Sequence, residues 1–115
     1  MDISKFAKKP ELVKITLDKP EIIETFGSEI FFWVYDNLDI STYFKFYKSQ
    51  ADQDGAALNE VMRKLILTAD GKPALKDEEM LPIELNLAAL AEINEVLGKS
   101  KTKLSTPTTG QQQNS

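Results

Sequence analysis

Residues 29–35 limit the fold more than any other segment, because every position from Ile30 to Tyr35 is aliphatic or aromatic. Such residues favour β-strands, and the Asp36-Asn37 pair that follows favours a turn. Side chains in a strand point alternately to opposite faces, so both faces of this strand are apolar. One face would carry Ile30, Phe32 and Val34, and the other would carry Phe31, Trp33 and Tyr35. Such a strand is either covered on both sides or presents an aromatic face to a partner.

A second strand is predicted at residues 12–17, where apolar positions alternate with Lys14 and Thr16. Between the two strands, Pro20 and Gly27 favour one or two helical turns that begin at the proline and end at a left-handed glycine. The sequence therefore predicts a small β-hairpin or sheet near the N-terminus, formed by residues 12–17 and 29–35.

Three amphipathic helices are predicted after the strands, at residues 40–49, 56–68 and 78–97. Asp39 or Ser41 would cap the start of the first helix and Asp77 that of the third, which would end at Gly98. Apolar residues spaced three and four apart mark the three helices, namely Ile40, Tyr43, Phe44 and Tyr47, then Leu58, Val61, Met62, Leu65 and Ile66, then Ile83, Leu87, Leu90, Ile93 and Leu97. The stripes of the second and third helices should face the core. The fold class that follows is α+β.

The 115 residues are an ordinary length for one domain, and residues 1–103 are predicted to form it. Residues 104–115 contain a single large apolar side chain, Leu104, which is too little to offset the entropy of ordering them. We therefore expect a disordered polar tail. The chain shows neither a signal-peptide pattern nor a stretch of about 18 apolar residues, so we expect a cytosolic protein that does not enter a membrane.

The absence of cysteine and histidine excludes disulfides, thiol nucleophiles, imidazole bases and the usual zinc, copper and haem ligands other than carboxylates. The net charge is −4, and residues 51–98 carry four bases against ten acids. An acidic body of this kind repels phosphates, so nucleic acid is not expected as a ligand.

Two short motifs resemble known ligand sites but lack residues that those sites require. Gly98-Lys99-Ser100 matches the end of a phosphate-binding loop, but Ile93 replaces its first glycine and the motif follows a helix instead of preceding one. Residues 52–55 fail as a calcium loop because Gln50 and Val61 occupy two ligand positions. We therefore predict no catalytic residue, metal site or cofactor, and the chain is not expected to be an enzyme.

Five aromatic residues are predicted to bind a partner protein: Phe31, Trp33, Tyr35, Tyr43 and Tyr47. Tryptophan and tyrosine are enriched where protein interfaces gain most of their energy. The surface would be a groove between the aromatic strand and the helix at residues 58–67 or 83–97. A two-stranded sheet also has open edges, which indicates a homo-oligomer formed by edge pairing.

Several segments together resemble the tail assembly chaperones of long-tailed, siphovirus-type bacteriophages, over roughly residues 1–104. They are the short strand, the glycine turn, and the aromatic strand that leads into a Tyr/Phe helix. The strongest local likeness lies in the Gly-Lys-Pro turn within residues 69–82, the acidic helix start after it, and the close Val96-Leu97-Gly98-Lys99-Ser100.

The resemblance implies a non-structural protein of the host cytoplasm, absent from the mature virion. It would coat the tape measure protein while tail tube protein polymerises around it. Such chaperones are often made in two forms, and a frameshifted longer form recruits the tube subunits. This chain would be the short form, with the reading frames diverging after Gly98.

Two other classes of function stay open at this point. The chain could be a structural tail or connector subunit that remains in the virion. It could also be a small acidic regulatory module that binds proteins unrelated to phages, since its net charge of −4 suits that role too.

Overall fold

The computed structural model describes the backbone of residues 1–104 and the side chains of residues 1–98. These residues divide into two compact units, residues 1–80 and a second unit that begins at Leu81. The first contains a 3-10 turn (Ile3–Phe6), β1 (Leu12–Leu17), α1 (Pro20–Phe26), β2 (Ile30–Tyr35), α2 (Ile40–Ala51) and α3 (Gly55–Leu65). The second contains α4 (Ile83–Leu104). The predicted α+β class is confirmed.

The two strands pair antiparallel, as predicted, with Ile15 opposite Phe32 and Lys14 opposite Trp33. This register places Ile15, Leu17, Phe32 and Val34 on one face, and all four are buried. The helix α1 connects the strands and begins at Pro20. It ends at Gly27, whose φ of 86° is left-handed and whose N–H donates to the Ile23 carbonyl at 2.8 Å. The N-terminal sheet prediction is therefore confirmed with its connector.

The helices α2 and α3 pack against each other. Asp39 caps α2 by accepting the Thr42 N–H, and Asp54 caps α3 by accepting the Ala57 N–H. In α3 the predicted core stripe is confirmed, since Val61, Met62 and Leu65 are buried.

The core-facing side of α2 is set by Phe46, which is fully buried, and by Ser49. Ile40 and Phe44, two of the apolar positions that indicated the helix, are 69% and 61% exposed. At about 100° per residue, the aromatic residues of α2 spread over nearly half of the helix circumference, so the spacing alone does not show which of them is buried. Ser49 is tolerated inside because its hydroxyl donates to the Lys45 and Phe46 carbonyls.

The predicted helix at residues 56–68 ends early, at Leu65, because the next residues join the sheet. The Trp33 N–H donates to the Leu67 carbonyl at 3.0 Å, and the Leu67 N–H donates to the Trp33 carbonyl at 2.8 Å. Leu67 also bridges to Pro73 on its other side, across a turn at Gly71. Residue 67 therefore covers the edge of β2 that faces away from β1.

The predicted helix at residues 78–97 begins five residues late, at Ile83, so Asp77 is not its N-cap. Glu78 has a φ of 70°, and the Glu79 carboxylate accepts the Lys76 N–H at 2.7 Å, so these residues form a turn. Pro82 also disfavours helical backbone at the residue before it.

The same helix continues through Gly98 to Leu104, so the predicted end at Gly98 is wrong. Within residues 83–98, whose side chains are described, its buried residues are Leu85, Ala89, Ile93 and Leu97. The predicted core positions Ile83 and Leu87 are 64% and 58% exposed. Leu104 belongs to the helix, and the predicted disorder of residues 105–115 lies outside the described residues.

Gly71 supports a first prediction, because it has a φ of 79° and a Cβ there would lie 2.9 Å from the Tyr35 hydroxyl. Gly71→Ala adds left-handed strain and a steric clash, and should lower the free energy of unfolding by roughly 2 kcal/mol in urea titrations.

Gly27→Ala is the matched control, because Gly27 has a similar φ of 86° with nothing within 4 Å of the added Cβ. It should cost only about 1 kcal/mol. Adding Tyr35→Phe should reduce the cost of Gly71→Ala to that of Gly27→Ala. Equal costs for the two single alanine variants would show that the Tyr35 contact is unimportant.

Candidate functional site

The outer aromatic face is the side of the β1–β2 sheet opposite the buried residues. It carries Phe31, Trp33 and Tyr35 from β2, and Leu12, Lys14 and Thr16 from β1. Phe31 is 52% exposed and Tyr35 38% exposed, while Trp33 is half-buried. The three β2 residues predicted from the sequence therefore lie together and remain partly open to solvent.

Lys14 places a positive charge on this face. Its Nζ lies 4.5 Å from the centre of the Phe31 ring and 5.7 Å from that of Trp33. The two rings meet edge to face, with centres 5.5 Å apart and planes at 85°. The ring faces carry partial negative charge and attract the ammonium group. The outer aromatic face therefore combines apolar area with one cation.

Sequence reasoning missed Lys14 as a member of the candidate site. The alternation in residues 12–17 already placed Lys14 on the polar side of β1. What the sequence lacked was the register, which sets Lys14 opposite Trp33.

The Tyr35 end of the face is closed by the turn at Gly71. The Cβ position of Gly71 is 2.9 Å from the Tyr35 hydroxyl and 3.6 Å from Leu12 Cδ1. Trp33 lies between Lys14 of β1 and Leu67, and it exchanges both of its backbone hydrogen bonds with Leu67. The Phe31 end is thus the more open part of the outer aromatic face.

Tyr43 and Tyr47 form a second group on α2, with ring centres 4.8 Å apart. Tyr43 also contacts Phe44, and Tyr47 contacts the buried Phe46. Burial raises the pKa of Tyr47 above its ordinary value, and the neighbouring Tyr43 raises it further. The exposed Ile40 and Phe44 extend this group along α2.

None of the five predicted residues lines either of two clefts formed by α3 with its neighbours in residues 45–78. One, of about 210 Å³, lies between α2 and α3 beside the exposed Lys48–Asp52 ion pair of 2.9 Å. The other, of about 490 Å³, lies between α3 and residues 73–78. The exposure of Phe31 and Tyr35 places the candidate surface on the face of the sheet.

Within the part of the chain that the structure describes, no three acidic side chains cluster in a way that could hold a metal ion. No helix in residues 1–104 combines the length and the apolar character needed to cross a membrane.

A second prediction concerns the cation on the outer aromatic face. Lys14→Met keeps the aliphatic stem and removes the charge, so unfolding should become easier by about 0.5–1 kcal/mol, the value of an exposed cation–π contact. Lys14→Arg should retain the stability. Trp33, the only tryptophan in the chain, provides the fluorescence signal for urea titrations.

A double-mutant cycle assigns this energy to the ring. In a Phe31→Leu background, Lys14→Met should lose most of its effect, because the nearer ring is gone. An unchanged effect in that background would show that Lys14 acts by other means.

A third prediction follows from the raised pKa of Tyr47. A phenol whose pKa is higher in the folded state than in the unfolded chain contributes to the stability of the protein at lower pH. That contribution is lost as the pH rises above the pKa of the unfolded chain, 10.0. Tyr47→Phe should therefore lose less stability than the wild type between pH 9 and pH 11, measured by chemical denaturation at each pH. An identical pH dependence in the two proteins would contradict the burial of the hydroxyl.

Comparison of the chain with protein-family models, curated proteins and solved structures finds no match. The functional argument therefore depends on the residues and on the geometry of the outer aromatic face.

Proposed function

We propose that this chain is a tail assembly chaperone of a long-tailed bacteriophage, which binds the tape measure protein while the tail is built. The single observation that supports this function most is the outer aromatic face, where Phe31 is 52% exposed beside Trp33 and Tyr35. Large aromatic side chains left partly in water are the usual anchors of protein interfaces.

The dimensions of this face suit a helical partner. Phe31 and Tyr35 are four residues apart in β2, which spans about 13 Å of strand. An α-helix is about 10–12 Å wide with its side chains, so one helix can lie across the three aromatic residues. Tape measure proteins consist largely of long helices, whose apolar stripes need cover until the tube encloses them.

The charge of the chain also suits this role. A net charge of −4 keeps a protein with an exposed apolar face soluble by mutual repulsion. Lys14 is a cation within that face, and it favours a helix that carries an acidic residue beside its apolar stripe.

The remaining parts of the proposal follow from the same resemblance. The protein would act in the host cytoplasm, would be absent from the mature virion, and would reach the tail tube protein mainly through a frameshifted longer form. The alternatives are a structural tail or connector subunit and a small acidic regulatory module. No feature of the described residues favours either alternative over the chaperone.

The fourth prediction tests binding with Phe31→Asp, which places a charge in the open part of the outer aromatic face. The tagged full-length chain would be co-expressed with the tape measure protein encoded by the same genome, and the amount recovered on affinity resin measured. Phe31→Asp should reduce recovery at least about tenfold, as expected for loss of an interface anchor worth 1.4 kcal/mol or more.

Phe44→Asp is the matched control, because Phe44 is similarly exposed, at 61%, but lies on α2. It should leave recovery unchanged, and both variants should keep the circular dichroism of the wild type. Loss of binding with Phe44→Asp alone would move the site to α2. Full binding by both variants would remove the outer aromatic face as the site, and no binding by the wild type would remove the chaperone function.

A further inference from the structure

The free edge of the sheet is the side of β1 that faces away from β2. Among residues 1–104, β1 has β2 as its only strand neighbour, whereas β2 is covered on its other side by Leu67. Unpaired strand edges readily accept another strand. From the backbone geometry and side-chain pattern of β1, we infer that two copies of this chain pair through this edge, as an antiparallel β1–β1 dimer.

The hydrogen bonds show which backbone groups lie on the free edge. Trp33 exchanges both of its bonds with Leu67, so its N–H and C=O point away from β1. Its partner Lys14 therefore points its own N–H and C=O away from β2, as in every non-hydrogen-bonded antiparallel pair. By alternation, Leu12 and Thr16 do the same. None of these outward groups makes a hydrogen bond to residues 1–104.

Lysine often protects an edge strand by projecting its charge along it. Lys14 does not do so here, because its Nζ lies over β2, 4.5 Å from the centre of the Phe31 ring. No proline interrupts Leu12–Leu17, and the strand carries no other charge. The edge is therefore long enough and open enough to pair.

The strand is complementary to itself in one register. A two-fold axis at Ile15 places Ile15 opposite its own copy, Val13 opposite Leu17, and Lys14 opposite Thr16. The outward groups of Lys14 and Thr16 then meet, giving about four backbone hydrogen bonds. In this register the buried faces of the two copies lie on the same side of the joined sheet, and the ammonium groups of the two Lys14 side chains are not directly opposed. An axis at Lys14 would instead oppose the two lysines, which is unfavourable.

The dimer does not depend on the proposed function, because it follows from the edge alone. It would place two outer aromatic faces side by side on one continuous sheet. A single strand edge is a small interface, so the dimer should dissociate on dilution.

The fifth prediction uses light scattering with size-exclusion chromatography over a concentration series. The wild type should shift from one chain of 12.9 kDa to two as its concentration rises. Thr16→Pro removes an outward N–H without removing a β1–β2 hydrogen bond, and should stay monomeric. Thr16→Ala should dimerise like the wild type. A wild type that is monomeric throughout would overturn the inference, as would a folded, dimeric Thr16→Pro.

Cysteine cross-linking tests the register without depending on how well Thr16→Pro folds, and the natural chain contains no cysteine. Lys14→Cys mixed with Thr16→Cys should form a disulfide-linked heterodimer on mild oxidation, since directly opposed Cα atoms lie about 5.5 Å apart. Each variant alone should link poorly, because the two identical cysteines of its dimer are diagonal neighbours, about 7–8 Å apart. Equal linking by Lys14→Cys alone, or no linking in the mixture, would overturn the register.

Discussion

The structure depends on the central position of β2. Its residue Trp33 lies opposite Lys14 of β1 on one side and exchanges two hydrogen bonds with Leu67 on the other. A two-stranded hairpin alone is marginal in water, so the added pairing and the buried face beneath it stabilise the sheet. Because Leu67 directly follows α3, the same pairing ties that helix to the sheet.

This central position explains why the chain can leave aromatic residues partly exposed. β2 is paired with β1 along its length and with Leu67 at Trp33, and Phe32 and Val34 are buried beneath it, so the strand stays ordered without cover over its other face. Phe31, Trp33 and Tyr35 are then held on a rigid support, which reduces the entropy lost when a partner binds. The same arrangement leaves β1 as the outermost strand, with an open edge.

Much of the first unit was predictable because its signals are local. Alternation in residues 12–17, the apolar run at residues 30–35, Pro20, Gly27 and the Asp39 cap each act within a few residues. The candidate site was predictable only in part. The strand period placed Phe31, Trp33 and Tyr35 on one face, but the addition of Lys14 required the register.

The differences between the predicted and the observed elements have two causes, which are distant partners and local turn residues. Residues 66–68 continue a helical pattern, but Leu67 gains two backbone hydrogen bonds by leaving it. In α2, the aromatic residues spread over nearly half of the circumference and Phe46 lies at one edge of that arc, so packing decided which of them is buried. In α4 the reason is local, since Pro82 and the turn at Glu78 delay the start of the helix.

The sequence by itself determined the α+β class, the two apolar faces of β2 and the lack of thiol and imidazole chemistry, because these follow from residue type and short-range period. Only the tertiary structure decided which face of β2 is buried and which edge of the sheet is free. Both faces of β2 are apolar, so burying either face is favourable. Which face is buried depends on how the neighbouring segments pack while their own backbone groups also find hydrogen-bond partners.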